Sequence, residues 1–309
     1  MKKEIIGLVL ILFSSLIHAQ QDTQFTQYMY NTININPAYA GSRGVMSVFA
    51  LHRTQWVGLD GAPVTNSASI NTPISNSNLG IGVSFINDRI GPADENNLAL
   101  DLSYTIPVSE SYKLSFGLKA SANLLNVDFT KLNQYDKNDY DFETNIDNKF
   151  SPNIGVGFYL HSDKTYVGLS APNLLETKHF DKNASSGATS HIAKENITGY
   201  LIAGHVFDLS TEVKFKPAVL TKYVSGAPLQ VDLSGNFLIH EKLVLGVAYR
   251  WSAAVSALAG FQVSDSWFIG YAYDYETTQL SHYNSGSHEI FLRYEFLNKF
   301  DRIISPRFF

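Results

Sequence analysis

The stretch Tyr112–Leu124, YKLSFGLKASANL, decides the fold because its residues alternate between two kinds over thirteen positions. One set is apolar and the other is polar or glycine, which is the period-2 pattern of a β-strand with two different faces. The apolar set is Tyr112, Leu114, Phe116, Leu118, Ala120, Ala122 and Leu124. A strand of a soluble sandwich has about 5–6 residues, whereas a tilted strand that crosses a bilayer needs about 9–11. The length therefore favours a membrane strand over a long sandwich strand with one wet face.

The first twenty residues have the layout of a Sec-type signal peptide. Lys2 and Lys3 precede an apolar run from Ile5 to Ile17, and Ala19 precedes the expected cleavage site. We therefore expect residues 1–19 to be removed and the mature chain to be exported. No later run approaches the roughly 18 apolar residues that a transmembrane helix needs, so membrane insertion would have to be as a barrel.

The composition agrees with a barrel and excludes other classes. The chain has 17 Tyr and 20 Phe, and barrels use aromatic residues in girdles at both membrane interfaces. It has no Cys, which excludes disulfides and thiolate metal sites. The net charge is −5 without a basic cluster, which argues against a nucleic-acid partner.

The alternating pattern recurs to the C-terminus in segments separated by turn residues. The segments are Gly44–Arg53, Val64–Ile74, Asn78–Asn87, Asn96–Pro107, Tyr112–Val127, Pro152–His161, Thr165–Ala171, Asn196–Asp208, Val213–Val224, Leu229–Ile239, Lys242–Ser252, Val255–Ser264, Trp267–Thr277 and Ser287–Leu297. Residues 44–297 are therefore predicted to form an all-β, transmembrane outer-membrane β-barrel of about 14 antiparallel strands, an even number as in single-chain bacterial barrels. Residues 20–43 would be a periplasmic or plug-like segment and residues 298–309 a periplasmic tail.

Connector lengths give an independent indication. Every second connector is short, and the others include two long ones, Asp128–Ser151 and Pro172–Glu195. Medium loops are expected at Thr54–Pro63, Asp88–Glu95 and Thr278–Gly286. Short periplasmic turns and longer extracellular loops are typical of outer-membrane barrels.

Charged residues fall on the polar face of the predicted strands. A lysine that faces lipid at the bilayer midplane costs about 2–4 kcal/mol, so these residues should face a hydrated lumen. The candidate lumen charges are Asp101, Lys113, Lys119, Asp232, Arg250, Asp274, Glu289 and Arg293. They can pair with one another in the wall or form a ladder that guides a ligand, and the sequence leaves both open. Inward glycines such as Gly80, Gly82 and Gly117 leave room for water, a plug or a peptide.

Several motifs occur in a fixed order along the chain. They are Gln24–Tyr30 (QFTQYMY), Asn36–Gly44 (NPAYAGSRG), Arg53–Trp56 (RTQW), Gly61–Thr65 (GAPVT), Tyr283–Ile290 (YNSGSHEI) and Ser305–Phe309 (SPRFF). The chain resembles, over its mature length, the PorP/SprF family of Bacteroidota type IX secretion membrane proteins. The resemblance implies an outer-membrane protein, integral to the lipid bilayer, that works with other type IX components and has no known catalytic site or cofactor.

Members resembling SprF are associated with a large surface adhesin used in gliding, and those resembling PorP with the secretion machinery. Our hypothesis is that the barrel engages the C-terminal sorting domain of one secreted, adhesin-like protein and retains it at the outer membrane. The candidate partner-binding or structural residues are Tyr28, Tyr30, Asn36, Pro37, Tyr39, Gly41, Arg53, Trp56, Gly61 and Pro63. They either shape the N-terminus and the first hairpin or contact the partner.

Three alternatives to this hypothesis are a transporter, an enzyme and a metal-binding protein. A passive or fatty-acid-type transporter or porin would have a similar strand number. An enzyme is disfavoured because His179 and His191 lack a GxSxG-like setting, and His288-Glu289 lacks the second histidine of HExxH. Metal binding has weak support, because the acidic run from Asp136 to Glu143 lacks the glycine and terminal glutamate of an EF-hand loop. We expect no catalytic, cofactor or metal site.

Overall fold

The computed structural model describes residues 23–132, 145–175, 181–183, 189–191, 197–225 and 227–297. Fourteen long strands in these ranges form one antiparallel sheet. In chain order they are β1 (Met46–Thr54), β2 (Val64–Pro73), β3 (Leu79–Ile90), β4 (Ala93–Pro107), β5 (Lys113–Val127), β6 (Ile146–His161), β7 (Thr165–Asn173), β8 (Thr198–His205), β9 (Val213–Val224), β10 (Gln230–Ile239), β11 (Leu243–Arg250), β12 (Ala254–Gln262), β13 (Trp267–Glu276) and β14 (Ser287–Phe296).

The sheet closes on itself, because each strand pairs with two neighbours. β1 pairs with β14 as well as with β2, and β8 pairs with both β7 and β9. A two-residue strand, Phe207–Asp208, adds to β9, and Asp181–Asn183 pairs with Thr189–His191 in a separate two-stranded antiparallel sheet. The predicted closed barrel of fourteen antiparallel strands is confirmed.

The two faces of the wall differ as the alternation requires. On β5, Leu118 is 61% exposed and the adjacent Lys119 is 6% exposed. The outward apolar side chains on other strands are also exposed, including Leu98, Leu100, Leu102, Leu233, Leu245, Val247, Ile269, Ile290 and Leu292. Because apolar side chains cover the outer face of the closed wall, lipid is the medium that this outer surface fits.

The connections divide into two ends. Residues 74–78, 108–112, 162–164, 206–212, 240–242 and 263–266 form the short-turn end, where β1 also begins and β14 ends. The opposite, long-loop end carries residues 55–63 and 277–286, and the described residues next to β5, β6, β7 and β8 at this end are 128–132, 145, 174–175 and 197. By the usual asymmetry of outer-membrane barrels, the short-turn end is periplasmic and the long-loop end extracellular.

One predicted loop is wrong. Residues 88–95 were expected to form a medium loop, but β3 and β4 continue through them and leave only a turn at Gly91-Pro92. The polar residues there pair across strands: the Asn87 amide donates to Asp94 at 2.8 Å and to Asn96 at 3.0 Å. The hairpin therefore extends as a polar ribbon that the apolar alternation does not show. Likewise, β6 begins at Ile146 rather than at the predicted Pro152.

The described segment that precedes β1 lies inside the barrel. Residues 25–40 are all buried and include a four-residue helix, α1 (Thr32–Ile35), and a 3₁₀ turn over Pro37–Tyr39. Their aromatic and aliphatic side chains form the main apolar cluster together with inward residues of the wall. None of the helices in the described ranges is long and apolar enough to cross a membrane. The predicted signal peptide, residues 1–19, and the tail, residues 298–309, lie outside the described residues.

Candidate functional site

The candidate site is the lumen, which residues 24–41 occupy; we call these residues the plug. Near its start, Thr26 contacts Glu289, which lies close to the long-loop end of β14. At its end, Gly41 lies against Pro73 and Gly80 at the short-turn end. The plug therefore runs the length of the lumen from the long-loop end towards the short-turn end, further than docking at one mouth of the barrel would require.

The short-turn half of the plug is built around Asn36-Pro37. The Asn36 side chain accepts a hydrogen bond from the Ala38 N–H at 3.0 Å, and its amide donates to the Phe158 carbonyl at 3.0 Å. Pro37 occupies the first position of the 3₁₀ turn, where its missing N–H costs nothing. Gly41 follows with φ +71°, which glycine adopts without strain. The motif NPAYAG thus shapes this half of the plug.

The short-turn half of the plug packs against glycines of the wall. A Cβ at Gly117 would lie 2.1 Å from the Ala38 nitrogen, and a Cβ at Gly157 would lie 2.1 Å from Asn36 Oδ1. A Cβ at Gly80 would lie 2.3 Å from the carbonyl oxygen of Ala40. A real Cβ does not come this close to another heavy atom, so a side chain at these positions would collide with the plug. The plug therefore fills the space that we expected beside the inward glycines.

An aromatic cluster holds the middle of the plug. The Tyr30 ring packs on Phe268 and Phe291, with centroids 5.4 and 4.7 Å away. Two basic side chains of the wall face the same ring: Lys216 Nζ lies 5.3 Å and the Arg293 guanidinium 5.8 Å from its centroid. The Tyr30 side chain itself is buried. The cluster therefore combines apolar burial with cation–π attraction from Arg293.

Ionised side chains hold the long-loop half. Arg53 contacts Asp274 at 2.7 Å and Glu289 at 3.1 Å, and all three are almost fully buried. Glu289 accepts the backbone N–H groups of Thr26 at 2.9 Å and Gln27 at 2.8 Å. The Thr26 hydroxyl donates to Asp274 at 2.6 Å and accepts from Arg53 at 2.8 Å. We call Arg53, Asp274 and Glu289 the latch, because they bind one another and the plug.

The other candidate lumen charges also lie in pairs. Lys119 is 3.1 Å from Asp101, and Arg250 is 2.9 Å from Asp232. Arg293 contacts Glu295 at 3.4 Å, and Arg43, just after the plug, contacts the same carboxylate. Lys113 differs, because it is exposed at the short-turn rim, where it lines a cavity of about 340 Å³ together with His161.

The candidate partner-binding residues fall into two places. Tyr28, Tyr30, Asn36, Pro37, Tyr39 and Arg53 are buried in the lumen, where they contact the chain's own wall or plug, and Gly41 ends the plug. Trp56, Gly61 and Pro63 lie in the loop between β1 and β2 at the long-loop end. A role of either set in partner binding stays a prediction.

Two outer loops are joined into one surface, which we call the platform: residues 55–63 and 277–286. The Val57 N–H donates to the Gly286 carbonyl at 2.9 Å, and the Ser285 N–H donates back to the Val57 carbonyl at 2.8 Å. The Trp56 N–H also donates to Ser287 Oγ at 3.1 Å. The RTQW, GAPVT and YNSGSHEI motifs thus meet at one end of the barrel. Sequence alternation gave no sign of this joining.

The residues considered for other chemistry are separated or lie outside the described part. His288 is exposed on the outer face and contacts Tyr271 at 2.6 Å, whereas Glu289 faces the lumen and is fully buried. The pair therefore does not share a site. The acidic run from Asp136 to Glu143 and the side chains of His179 and His191 lie outside the described residues.

A closed barrel with an apolar outer belt and a filled, charged lumen defines a β-barrel protein of the outer membrane. The family model of the type IX secretion system membrane protein PorP/SprF matches residues 17–294, so the chain belongs to that family. The resemblance carried by the motifs is confirmed. The family and fold are those of a secretion-system barrel and not of an enzyme class.

Two solved structures are similar in fold. The CymD monoaromatic hydrocarbon channel is 14% identical with a TM-score of 0.51, over 89% of this chain and 94% of that chain. The Ralstonia pickettii toluene transporter TbuX is 10% identical with a TM-score of 0.51, over 88% and 94%. At these identities the likeness shows the barrel fold alone. No curated protein sequence matches the chain significantly.

Proposed function

We propose that this protein is a non-catalytic outer-membrane barrel of the type IX secretion and gliding machinery that holds a secreted partner at the cell surface. The partner would be an adhesin-like protein engaged through its C-terminal sorting domain. The observation that carries the proposal is the filled lumen of a family member: the plug is buried along its length and its main chain and side chains are bonded to the wall. Such a barrel suits attachment of another protein better than flow of solutes.

The platform supports a partner at the extracellular end. Its two loops fix each other through backbone hydrogen bonds, so it presents a preorganised surface. Tyr283 is 70% exposed on it, and tyrosine is enriched among the residues that dominate interface energies. Trp56 lies half-buried in the other loop of the platform, residues 55–63.

Affinity purification of the tagged full chain from its native membrane, in mild detergent, tests the proposal. We expect a secreted surface protein and other export components to accompany the wild-type barrel. Tyr283→Ser should lower recovery of the secreted protein roughly tenfold or more, because truncating an interface hot spot costs about 2 kcal/mol or more. Leu209→Ser is the matched control, since Leu209 is 58% exposed at the short-turn end.

The proposal fails if neither a secreted protein nor an export component is recovered and deletion leaves surface adhesins unchanged. A small-solute transporter is the second candidate, motivated by the likeness of the fold to a hydrocarbon channel and a toluene transporter. Liposome swelling separates the two: a plugged barrel should admit sugars no faster than empty liposomes, and appreciable uptake by the wild-type protein would favour transport.

A further inference from the structure

The wall binds the plug to a large extent through its main chain. Among the described residues, seven hydrogen bonds join wall side chains to backbone groups of the plug, at Phe25, Thr26, Gln27, Ile33, Ile35, Ala40 and Gly41. The wall partners are Arg250, Glu289, Lys119, Ser170, Ser103 and Asn71. Every non-proline residue carries an N–H and a carbonyl, so these wall side chains contact groups that do not depend on the side chains of the plug.

The wall contacts extend from one end of the lumen to the other. Near the long-loop end, Glu289 accepts two consecutive N–H groups, and Arg250 donates to the Phe25 carbonyl at 3.4 Å. In the middle, Lys119 donates to the Ile33 carbonyl at 3.3 Å and Ser170 to the Ile35 carbonyl at 2.6 Å.

At the short-turn end, Ser103 donates to the Ala40 carbonyl at 2.7 Å, and Asn71 accepts from the Gly41 N–H at 3.3 Å. Donors and acceptors both occur, as the alternating polarity of a main chain demands.

The glycines of the wall serve the same purpose. Gly80, Gly117 and Gly157 have no side chain, so the plug backbone or a short polar group lies directly on the wall. Close approach of backbones is a common reason for glycine in a strand interior. Side chains of the plug also contact the wall. Asn31 and Asn34 both donate to Ser67 Oγ, at 3.2 and 2.8 Å, and the Tyr30 ring packs on Phe268 and Phe291.

We propose that the lumen wall is a main-chain-binding peptide site, that the plug is its resident ligand, and that a polypeptide segment of a partner protein can replace it. The described covalent connection between plug and wall is the short stretch of residues 42–45, where Gly44 is exposed and has φ +79°. Withdrawal of the plug through the short-turn end would free all seven backbone contacts together. The inference rests on the proposed function only for the identity of the partner.

Exchange of the plug for an added peptide tests the site itself. A tethered segment acts at an effective concentration on the order of millimolar, so the tether must be cut before competition can be measured. A protease site inserted after Gly44 allows the full chain to fold first and to be nicked afterwards, with retention of the barrel checked by its shifted mobility in unheated gels. A fluorescent synthetic peptide of residues 23–41 is then added, and fluorescence anisotropy follows its entry.

We expect saturable entry of the peptide with release of the original plug. A peptide N-methylated at Thr26 and Gln27 keeps every side chain but loses both N–H groups that Glu289 accepts, and should bind at least tenfold more weakly. A peptide carrying Met29→Leu and Ile33→Val keeps its backbone groups and should bind within threefold of the native sequence. A scrambled peptide of the same composition controls for hydrophobic adsorption.

Two results would overturn the inference. One is a nicked barrel that retains its own plug at every peptide concentration. The other is equal binding of the N-methylated and unmodified peptides, which would show that side chains alone hold the plug. Failure of exchange together with successful recovery of a secreted partner would place that partner on another surface, such as the platform. Successful exchange without a recovered partner would leave the peptide site standing and remove the proposed function.

Discussion

The two ends of the plug are held in different ways. At the long-loop end the latch surrounds Thr26 and Gln27 with buried charges and hydrogen bonds. At the short-turn end the backbone around Ala38 and Ala40 lies on bare glycine, and contact distance rather than charge sets the fit. The first kind of attachment depends on every partner being present, because an uncompensated buried charge is costly. The second kind depends on wall residues that have no Cβ, because a Cβ there would collide with the plug.

The two kinds of attachment should differ in how easily they open. Steric fit at the short-turn end is retained as long as the wall strands keep their register, whereas the latch can be lost by removal of a single charge. We therefore expect the plug to loosen first at the long-loop end, which is also the end where the latch strands continue into the platform. Arg53 precedes Thr54–Trp56, and Glu289 follows Ser287, which binds the Trp56 N–H.

The largest effect is expected from Arg53→Met. The substitution keeps the length of the side chain but leaves Asp274 and Glu289 buried next to each other without their cation, and should cost about 3–5 kcal/mol of unfolding free energy. Urea unfolding in lipid vesicles, followed by Trp fluorescence, measures the change.

Arg89→Met is the matched control for this comparison. Arg89 pairs with Asp94 at 3.3 Å, but its side chain is 62% exposed. An exposed ion pair contributes about 0–1 kcal/mol. Equal losses for the two variants would show that the latch is not held by buried charge.

Gly117→Ala probes the other end. The added Cβ would meet the Ala38 nitrogen at 2.1 Å, so the plug or the strand must shift. Overpacking of this kind typically costs about 1–3 kcal/mol. Gly199→Ala adds the same atom to a barrel strand where nothing lies within 4 Å, and should stay within about 0.5 kcal/mol of the wild type. If Gly117→Ala were as stable as the control, the plug could shift at the short-turn end without loss of unfolding free energy, and steric fit would not hold it there.

Much of the wall could be predicted from sequence, because alternation is a local property. Tyr112–Leu124 showed both faces of β5, and its alternation, with lipid as the outer medium, predicts that Leu118 is exposed and Lys119 is buried. The polar ribbon around Asn87 and Asp94 could not be predicted from apolar alternation, since hydrogen bonds between side chains replace it there.

The sequence predicted individual residues of the candidate site but not how they come together. Glu289 and Arg53 belong to different motifs, and Thr26 to a third, so nothing local places them within 3.1 Å of one another. The inward glycines indicated free space but not its occupant. Tyr28 and Tyr30 were considered for partner binding because of their residue type, yet both are buried in the lumen. Only the closed barrel supplies these contacts.

The order of loosening can be measured directly, because the chain contains no cysteine. Ser67 contacts the plug through Asn31 and Asn34 towards the long-loop end, and Ser103 contacts the Ala40 carbonyl towards the short-turn end. Single variants Ser67→Cys and Ser103→Cys therefore report the two ends separately. Charged maleimide should label the cysteine at position 67 roughly tenfold faster, the ratio for a difference of about 1.4 kcal/mol in local opening.

A denatured sample of each variant controls for intrinsic thiol reactivity, and the exposed Ser109→Cys variant gives the unprotected rate. Adding Arg53→Met to Ser67→Cys should bring labelling close to that rate while position 103 remains protected. Faster labelling at position 103 than at position 67 would reverse the comparison, because it would place the weaker attachment where the wall is glycine. The plug would then loosen from the periplasmic side, and the latch would be its anchor.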